Sequence, residues 1–282
     1  MNAVIVINSC DAYSDLWDPF FLCMADYWAD CEYKIVLNTE TKDYIPRSHI
    51  PFNISVHHYK SLGVDAWGAR LISTLNDINS EFVIVLYDDF LLDGIVDQKK
   101  IADLVDLMSS NSRIGVIYLT KLLDVSKESR PGNELVEVSP RADYRLNSAP
   151  AIWRKDLLLK FTAPNDNPWA WEYFGSFRTF SNRSTFLAIS DKESDVYPYD
   201  YRKGGAIYRG KWVEEVINPI IDRHGLDLDL QKRGTVGSSQ FPKRDIKWKI
   251  LFIKTGFQMI GLRAFYALYR ILRNKAVKSL RS

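Results

Sequence analysis

Residues 83–94 read VIVLYDDFLLDG: an apolar, largely β-branched run stops at Asp88 and Asp89, and a third carboxylate, Asp93, follows four residues later. Such a run, bounded by turn residues, predicts a buried strand. The two acids can begin a turn, because Asp bonds its own downstream backbone. They can equally face a ligand, because ligands of open α/β sheets bind outside the carboxyl ends of the strands. The stretch alone leaves both readings open, and the flanking chain decides between them.

Outward from this strand, hydrophobic periodicity alternates between the two secondary-structure types. Strands are expected over 4–7, 34–38 and 54–58, with a helix over 19–29. A second helix is expected over 65–78, with Val64, Trp67, Leu71, Leu75 and Ile78 on one face. Asp97 is placed to cap a third helix carrying Ile101, Leu104 and Met108, and residues 114–119 form the next strand. This alternation over the first 120 residues predicts an α/β fold with a mainly parallel sheet and helices on both faces. Further on, KESRPGNE (127–134) reads as a loop with hairpin-like strands on either side, at 118–122 and 135–138. SAPAIWRKDLLLKF (148–161) reads as a strand leading into a helix. In NDNPWAWEYFGSF (165–177), Pro168 suits the first turn of a helix that carries Glu172.

A chain of 282 residues, 46% hydrophobic and 13% aromatic, can bury a large core and is not a disordered protein. Its three cysteines, Cys10, Cys23 and Cys31, form no CxxC pair, which argues against a disulfide framework and a structural zinc site. The opening MNAVIVINSCDAYSD lacks a basic leader and reads as a first strand, so a cytoplasmic location is expected.

The net charge of +2 conceals a division. Residues 243–282 carry eleven Lys or Arg and one acid, Asp245, whereas residues 1–242 carry 26 bases and 34 acids. Residues 1–240 are therefore expected to form the main domain and 241–282 a basic, amphipathic appendage. From Ile260 onward, helical spacing puts Arg263, Arg270 and Arg273 on one side, with Ile260, Phe265, Leu268, Ile271 and Leu272 opposite. This is the pattern of a helix lying in a membrane interface, its bases toward anionic headgroups. Docking onto its own domain is the competing expectation. Nucleic acid is not an expected partner, because a duplex would also meet the acidic body. If residues 243–282 lie on the membrane face, truncation after Gln240 should leave a folded and more soluble protein.

The succession SCDAYSDLWDPF, VDAWGARL, VLYDDFLL, NSAPAIWRKDLL and NPWAWEYF, over roughly residues 1–215, resembles bacterial nucleotide-sugar glycosyltransferases of the GT-A fold, particularly those that build capsule and O-antigen repeats. The resemblance implies transfer of a sugar from a nucleotide-diphosphate donor, a UDP-sugar above all, to a lipid-linked saccharide at the inner face of the cell membrane. It places Ser9, Cys10 and Asp11 beside the base and ribose, and Trp67 and Arg70 on the helix before the acidic strand, with Arg70 toward a phosphate. Asp88 and Asp89 would meet the diphosphate, directly or through Mg²⁺ or Mn²⁺, which favour hard oxygen ligands. The acids are adjacent where the family's motif has one residue between them, so metal dependence stays open. Asp89 is the first candidate ligand and His224 a second. Arg209 and Lys211 fall in GGAIYRGKWVEE (204–215), a stretch expected to form a loop over the diphosphate. Glu172 is the expected general base, because crowding by Trp169, Trp171 and Tyr173 would strip its solvation and raise its pKa. Asp166 is its substitute. Asn147, Trp169 and Trp171 would bind the acceptor, sugar rings stacking on indole. Two rivals remain: a sugar-phosphate nucleotidyltransferase, which would ordinarily carry a glycine-rich basic loop after the first strand, and a non-catalytic carbohydrate-binding protein.

Overall fold

The structure, a computed structural model, describes residues 3–62, 66–122, 134–201, 205–237 and 245–279, with side chains in the last helix described to Asn274. Strand β1 (Ala3–Asn8) leads through a 3-10 turn to helix α1 (Trp17–Tyr27), β2 (Lys34–Thr39) and β3 (Ile54–His58). Helix α2 (Trp67–Asp77) precedes β4 (Phe82–Tyr87), and α3 (Gln98–Ser110) precedes β5 (Ile114–Tyr118). Next come β6 (Leu135–Glu137), β7 (Ala151–Arg154), α4 (Lys155–Phe161), α5 (Pro168–Tyr173) and β8 (Thr185–Ile189).

These eight strands form one sheet in the order β3-β2-β1-β4-β7-β5-β8-β6. The pairs β3–β2, β2–β1, β1–β4 and β5–β8 are parallel, whereas β7 runs antiparallel between β4 and β5. The expected α/β class with a mainly parallel sheet is what the chain forms. The run in β4 is continuously apolar because both of its faces are covered. Ile84 and Leu86 join the core beneath α1 and α3, while Val83 and Val85 join the core beneath α2 and α4. Asp97 caps α3 as expected, its carboxylate accepting from the Lys100 N–H at 3.0 Å.

The expected hairpin around residues 127–134 is corrected. Strand β6 pairs with β8 and not with β5, and Val138 N–H donates to the Phe186 carbonyl at 2.8 Å. Strand β8 inserts between the two segments because its other edge is taken by β5. Residues 123–133 of the intervening loop, and Val64 on the second helix, lie outside the described residues.

A smaller three-stranded sheet follows, made of β9 (Ile207–Tyr208), β10 (Lys211–Val213) and, after helix α6 (Glu214–His224), β11 (Thr235–Val236). Two long helices, α7 (Ile246–Ile260) and α8 (Arg263–Ser279), end the described chain. Among the described residues no helix is long and apolar enough to cross a membrane.

The two C-terminal helices dock on the body. A Cβ at Gly256 of α7 would lie 2.5 Å from carbons of the Phe174 ring, so this glycine is what lets α7 approach. On α8, Ala267 is fully buried and its carbonyl accepts from the Tyr173 hydroxyl at 2.8 Å. The expected charged side is divided: Arg270 turns inward to Asp143 at 3.0 Å, while Arg263 and Arg273 are exposed. The expected apolar side is divided as well, since Ile260 and Ile271 pack inward while Phe265 and Leu272 remain exposed. Ile246, Ile250, Leu251, Leu262 and Tyr269 are exposed with them. Self-docking thus describes one face of these helices, and an apolar, basic face is left outward.

Candidate active site at the sheet edge

Parallel pairing of β1 with β4 sets Asn8 opposite Tyr87, so the residues that follow each strand emerge together at the carboxyl edge. There the Ser9 hydroxyl donates to the Asp88 carboxylate and itself accepts from Trp17 Nε1 at 2.6 Å. Asp89 is fixed through its backbone: its carbonyl accepts from Ala206 N–H at 2.7 Å. Gly205, at φ +81°, lies so near that a Cβ would sit 2.8 Å from that carbonyl. Only glycine combines this left-handed conformation with so close an approach.

A cavity of about 770 Å³ opens over this edge. Seven of the residues expected at the donor site line it together: Ser9, Cys10, Asp11, Trp67, Arg70, Asp88 and Asp89. Glu40, Tyr13, Tyr87 and Asn167, none of them expected from the sequence, are among the other lining residues. Glu40 meets Arg70 at 2.7 Å, and its other oxygen accepts from the Asp11 N–H at 2.8 Å. Arg70 also donates to the Ser9 carbonyl at 3.2 Å, so it braces the floor. Asp11 likewise has its carboxylate engaged, accepting from the N–H groups of Thr41 and Lys42 at 3.0 and 3.1 Å. It holds the 41–42 loop beside the cavity.

The carboxylates at the strand end are perturbed. Burial, reinforced by the neighbouring charge of Asp89, holds the Asp88 carboxyl well above the usual carboxylate range. Burial pushes Asp89 up to about 7, with repulsion from Glu172 adding to it. The Cys10 thiol is pushed up to about 11, first by burial and then by Asp88 and Glu40, which makes it a poor nucleophile. For Asp11 burial acts upward but is outweighed by the bonds from Thr41 and Lys42, and its pKa falls.

Glu172 lies on α5, a helix started as expected by Pro168 and capped by Asn167, whose side chain accepts from the Ala170 N–H at 3.0 Å. Its carboxylate accepts from the Ser148 N–H at 2.8 Å, and burial raises its pKa above the ordinary glutamate value. Asp166 does not fit the role of substitute base. Arg178 grips it with two bonds of 2.5 and 2.8 Å, and the Ala163 N–H adds a third. Trp171 is core: its ring packs between Trp67 and Trp153 and its Nε1 donates to the Phe161 carbonyl. Asn147 accepts from the Ala149 N–H at 2.7 Å and shapes the loop that presents Ser148. Trp169 instead lines a second cavity, together with Glu172.

The expected diphosphate loop is corrected too. Arg209 and Gly210, at φ 51° and 80°, form a two-residue turn between β9 and β10, both residues in the conformation such hairpins require. Neither Arg209, stacked over Tyr208, nor Lys211 lines the cavity. A cation besides Arg70 near the acids is Arg233, which pairs with Asp15 at 2.7 Å across 218 positions of sequence and lowers the Asp88 pKa through its charge. Nothing local in QKRGTVG marks it. His224 also departs from its expected place, bonding Asp26 at 2.9 Å beside Arg223. Among the described residues no three His, Cys, Asp or Glu side chains gather into a cation site. Asp88 and Asp89 are hard oxygen donors suited to Mg²⁺ or Mn²⁺, but the ~6 ligands such ions take would have to be completed by diphosphate and water.

No family model matches the sequence, and no curated protein matches it. Among solved structures, S. aureus TarS is similar over 94% of this chain and 50% of its own, with 15% identity and a TM-score of 0.49. A cytidylyltransferase from Leptospira borgpetersenii is similar over 86% of this chain and 100% of its own, at 14% identity and a TM-score of 0.44. A UDP-glucose pyrophosphorylase complexed with UDP-glucose is similar over 67% and 90%, at 12% identity and a TM-score of 0.45. The chain spans half the length of TarS.

Proposed function

We propose that this protein is a glycosyltransferase that moves a sugar from a UDP-sugar to a lipid-linked saccharide in bacterial surface polysaccharide synthesis. The observation that carries the reading is the convergence of Ser9, Arg70, Asp88 and Asp89 on one cavity at the carboxyl edge of a parallel sheet, with a further, partly buried carboxylate, Glu172, close enough to act on the Asp89 charge. Clefts at such edges suit nucleotides. Titratable groups perturbed by burial mark functional sites.

In this reading Glu172 removes the proton from an acceptor hydroxyl, the hydroxyl oxygen bonds to the anomeric carbon, and the bond to the nucleoside diphosphate breaks with inversion. A glutamate with a raised pKa is a stronger proton acceptor than an ordinary one. Ser148 N–H holds its carboxylate in one orientation. Arg233 lies on the side of Asp88, where positive charge would offset the charge of the departing diphosphate. A divalent ion held by Asp88 and Asp89 would supply further charge neutralisation. The outward apolar and basic face of α7 and α8 supports peripheral seating on the inner, anionic membrane surface.

The nucleotidyltransferase reading is less favoured, because the turn after β1, CDAYSDL, contains neither a glycine nor a base to cradle a triphosphate. A panel of UDP-, GDP- and CMP-sugars, assayed for released nucleotide and for pyrophosphate, tests the choice. Release of UDP without pyrophosphate is the expected result. Pyrophosphate formation from a nucleoside triphosphate would overturn it.

A further inference from the structure

The cavity on the far side of α5 has a chemistry unlike that of the donor site. It measures about 640 Å³ and lies between α5 and the two C-terminal helices. One wall is aromatic: the rings of Trp169, Trp248 and Phe252 stand 5.0 to 5.7 Å apart. Leu268, Ile271 and Leu272 of α8 add an aliphatic lining. Among the described residues of the lining, Glu172 is the one carboxylate and Lys249, which is exposed, the one cation. The start of helix α5 borders both cavities, Pro168 lining the one at the sheet edge and the next residue, Trp169, lining this one.

We propose that this cavity binds the apolar aglycone of the acceptor, a long alkyl or isoprenoid chain joined to its saccharide through phosphate. The inference rests on the glycosyl-transfer reading and assigns the acceptor's chemistry within it. A hydroxyl presented to Glu172 sets the rest of the acceptor beside Ile253, Leu268, Ile271 and Leu272, aliphatic side chains that offer a saccharide neither a ring to stack on nor a hydrogen bond. Charge selects the linkage. Residues 246–282 hold nine Lys or Arg and no acid, so an anionic group beside Lys249 finds complementary charge. The chain has a way out: Ile253 and Leu272 are 41% and 66% exposed at the mouth, next to the outward apolar face of the hairpin. A pocket of this size lined by aromatic and aliphatic side chains, with few polar groups fixing orientation, is of the kind that holds amphiphiles.

The test uses the full chain and a dansyl-labelled undecyl phosphate, kept below its micelle concentration and followed by anisotropy. Saturation at one equivalent is expected. Leu268→Trp, which fills the cavity, should weaken binding at least about tenfold. Lys249→Glu, on an exposed position that leaves packing intact, should weaken the phosphate probe by about tenfold and leave the matching dansyl-labelled undecanol unchanged. UDP titrated into the same samples reads the donor site separately. Retained UDP binding with no monomeric probe bound, or with binding that neither substitution alters, overturns this assignment alone. Accumulation of the probe only on vesicles, with none bound by the protein in their absence, also overturns it and leaves a membrane-seating surface in its place.

Discussion

Arg70 and Glu40 meet at 2.7 Å in the floor of the cavity at the sheet edge, their side chains only 2% and 7% exposed. Removing one member of such a pair leaves the other as an uncompensated buried charge, which costs about 3–5 kcal/mol. Arg70→Met should therefore lower the stability in urea by that amount, while Arg70→Met combined with Glu40→Gln should recover most of it. A double-variant loss equal to the sum of the two single-variant losses would show that the two side chains act independently.

Asp89 should confer a pH dependence on turnover. Its ionised form is the one that can hold a cation or orient a diphosphate, so turnover should rise with pH and level off above about 7. Stability moves the other way. The folded pKa lies above the unfolded value of about 3.9, so the folded state binds the extra proton between these limits, and stability attributable to Asp89 falls as pH rises from about 4 to about 7. Asp89→Asn should flatten that slope, be more stable than the wild type above pH 7, and lose transfer. Thermal melts across the pH series check the first two points.

Glu172→Gln keeps the shape and the capacity to accept from Ser148 N–H, and loses the proton acceptor. Turnover should fall by about 100-fold or more with UDP affinity nearly unchanged. A parallel loss of UDP binding would point to a structural role.

Asp166→Asn separates the two acids of the NDNPWAWE segment. The side chain of Asp166 is 1% exposed and gripped by Arg178, so this change should lower the melting temperature by several degrees while the folded fraction keeps its kcat. A collapse of kcat at full stability would restore Asp166 as a base.

Truncation after Gln240 should reduce solubility, contrary to what a detached appendage would give. It uncovers Tyr173, Phe174 and Phe177, each at most 3% exposed under the hairpin. Gly256→Leu should act in the same direction by wedging α7 from Phe174, with about 1–3 kcal/mol lost to overpacking. Urea denaturation and sedimentation of both variants check this.

The sheet was legible because β1 and β4 are short apolar runs and α2 carries a strong helical periodicity, and the two acids after β4 announced the edge where a ligand would sit. The order of the strands past β5 was not, because β6 and β8 are short and neither records its partner in its own residues. The site divides in the same way. Asp88, Asp89 and Ser9 are each adjacent to a strand end, so their meeting follows from parallel pairing. Glu40 reaches the cavity, and Arg233 comes within electrostatic range of Asp88, through packing between distant segments, and no spacing foretells that. Arg209 and His224 misled for the opposite reason: a basic or imidazole side chain reads the same in sequence whether it faces a ligand, a ring or a surface aspartate.

The bond from the Tyr173 hydroxyl to the Ala267 carbonyl ties the six-residue helix bearing Glu172 to the last described helix. A helix that short has almost no internal rigidity of its own, so its position is set by what flanks it. The hairpin therefore works as a mechanical gauge: a sideways shift of α8 is handed on through Tyr173 to the carboxylate beside it. The C-terminal helices of this protein cannot be exchanged for another pair as an interchangeable module without resetting the site's geometry.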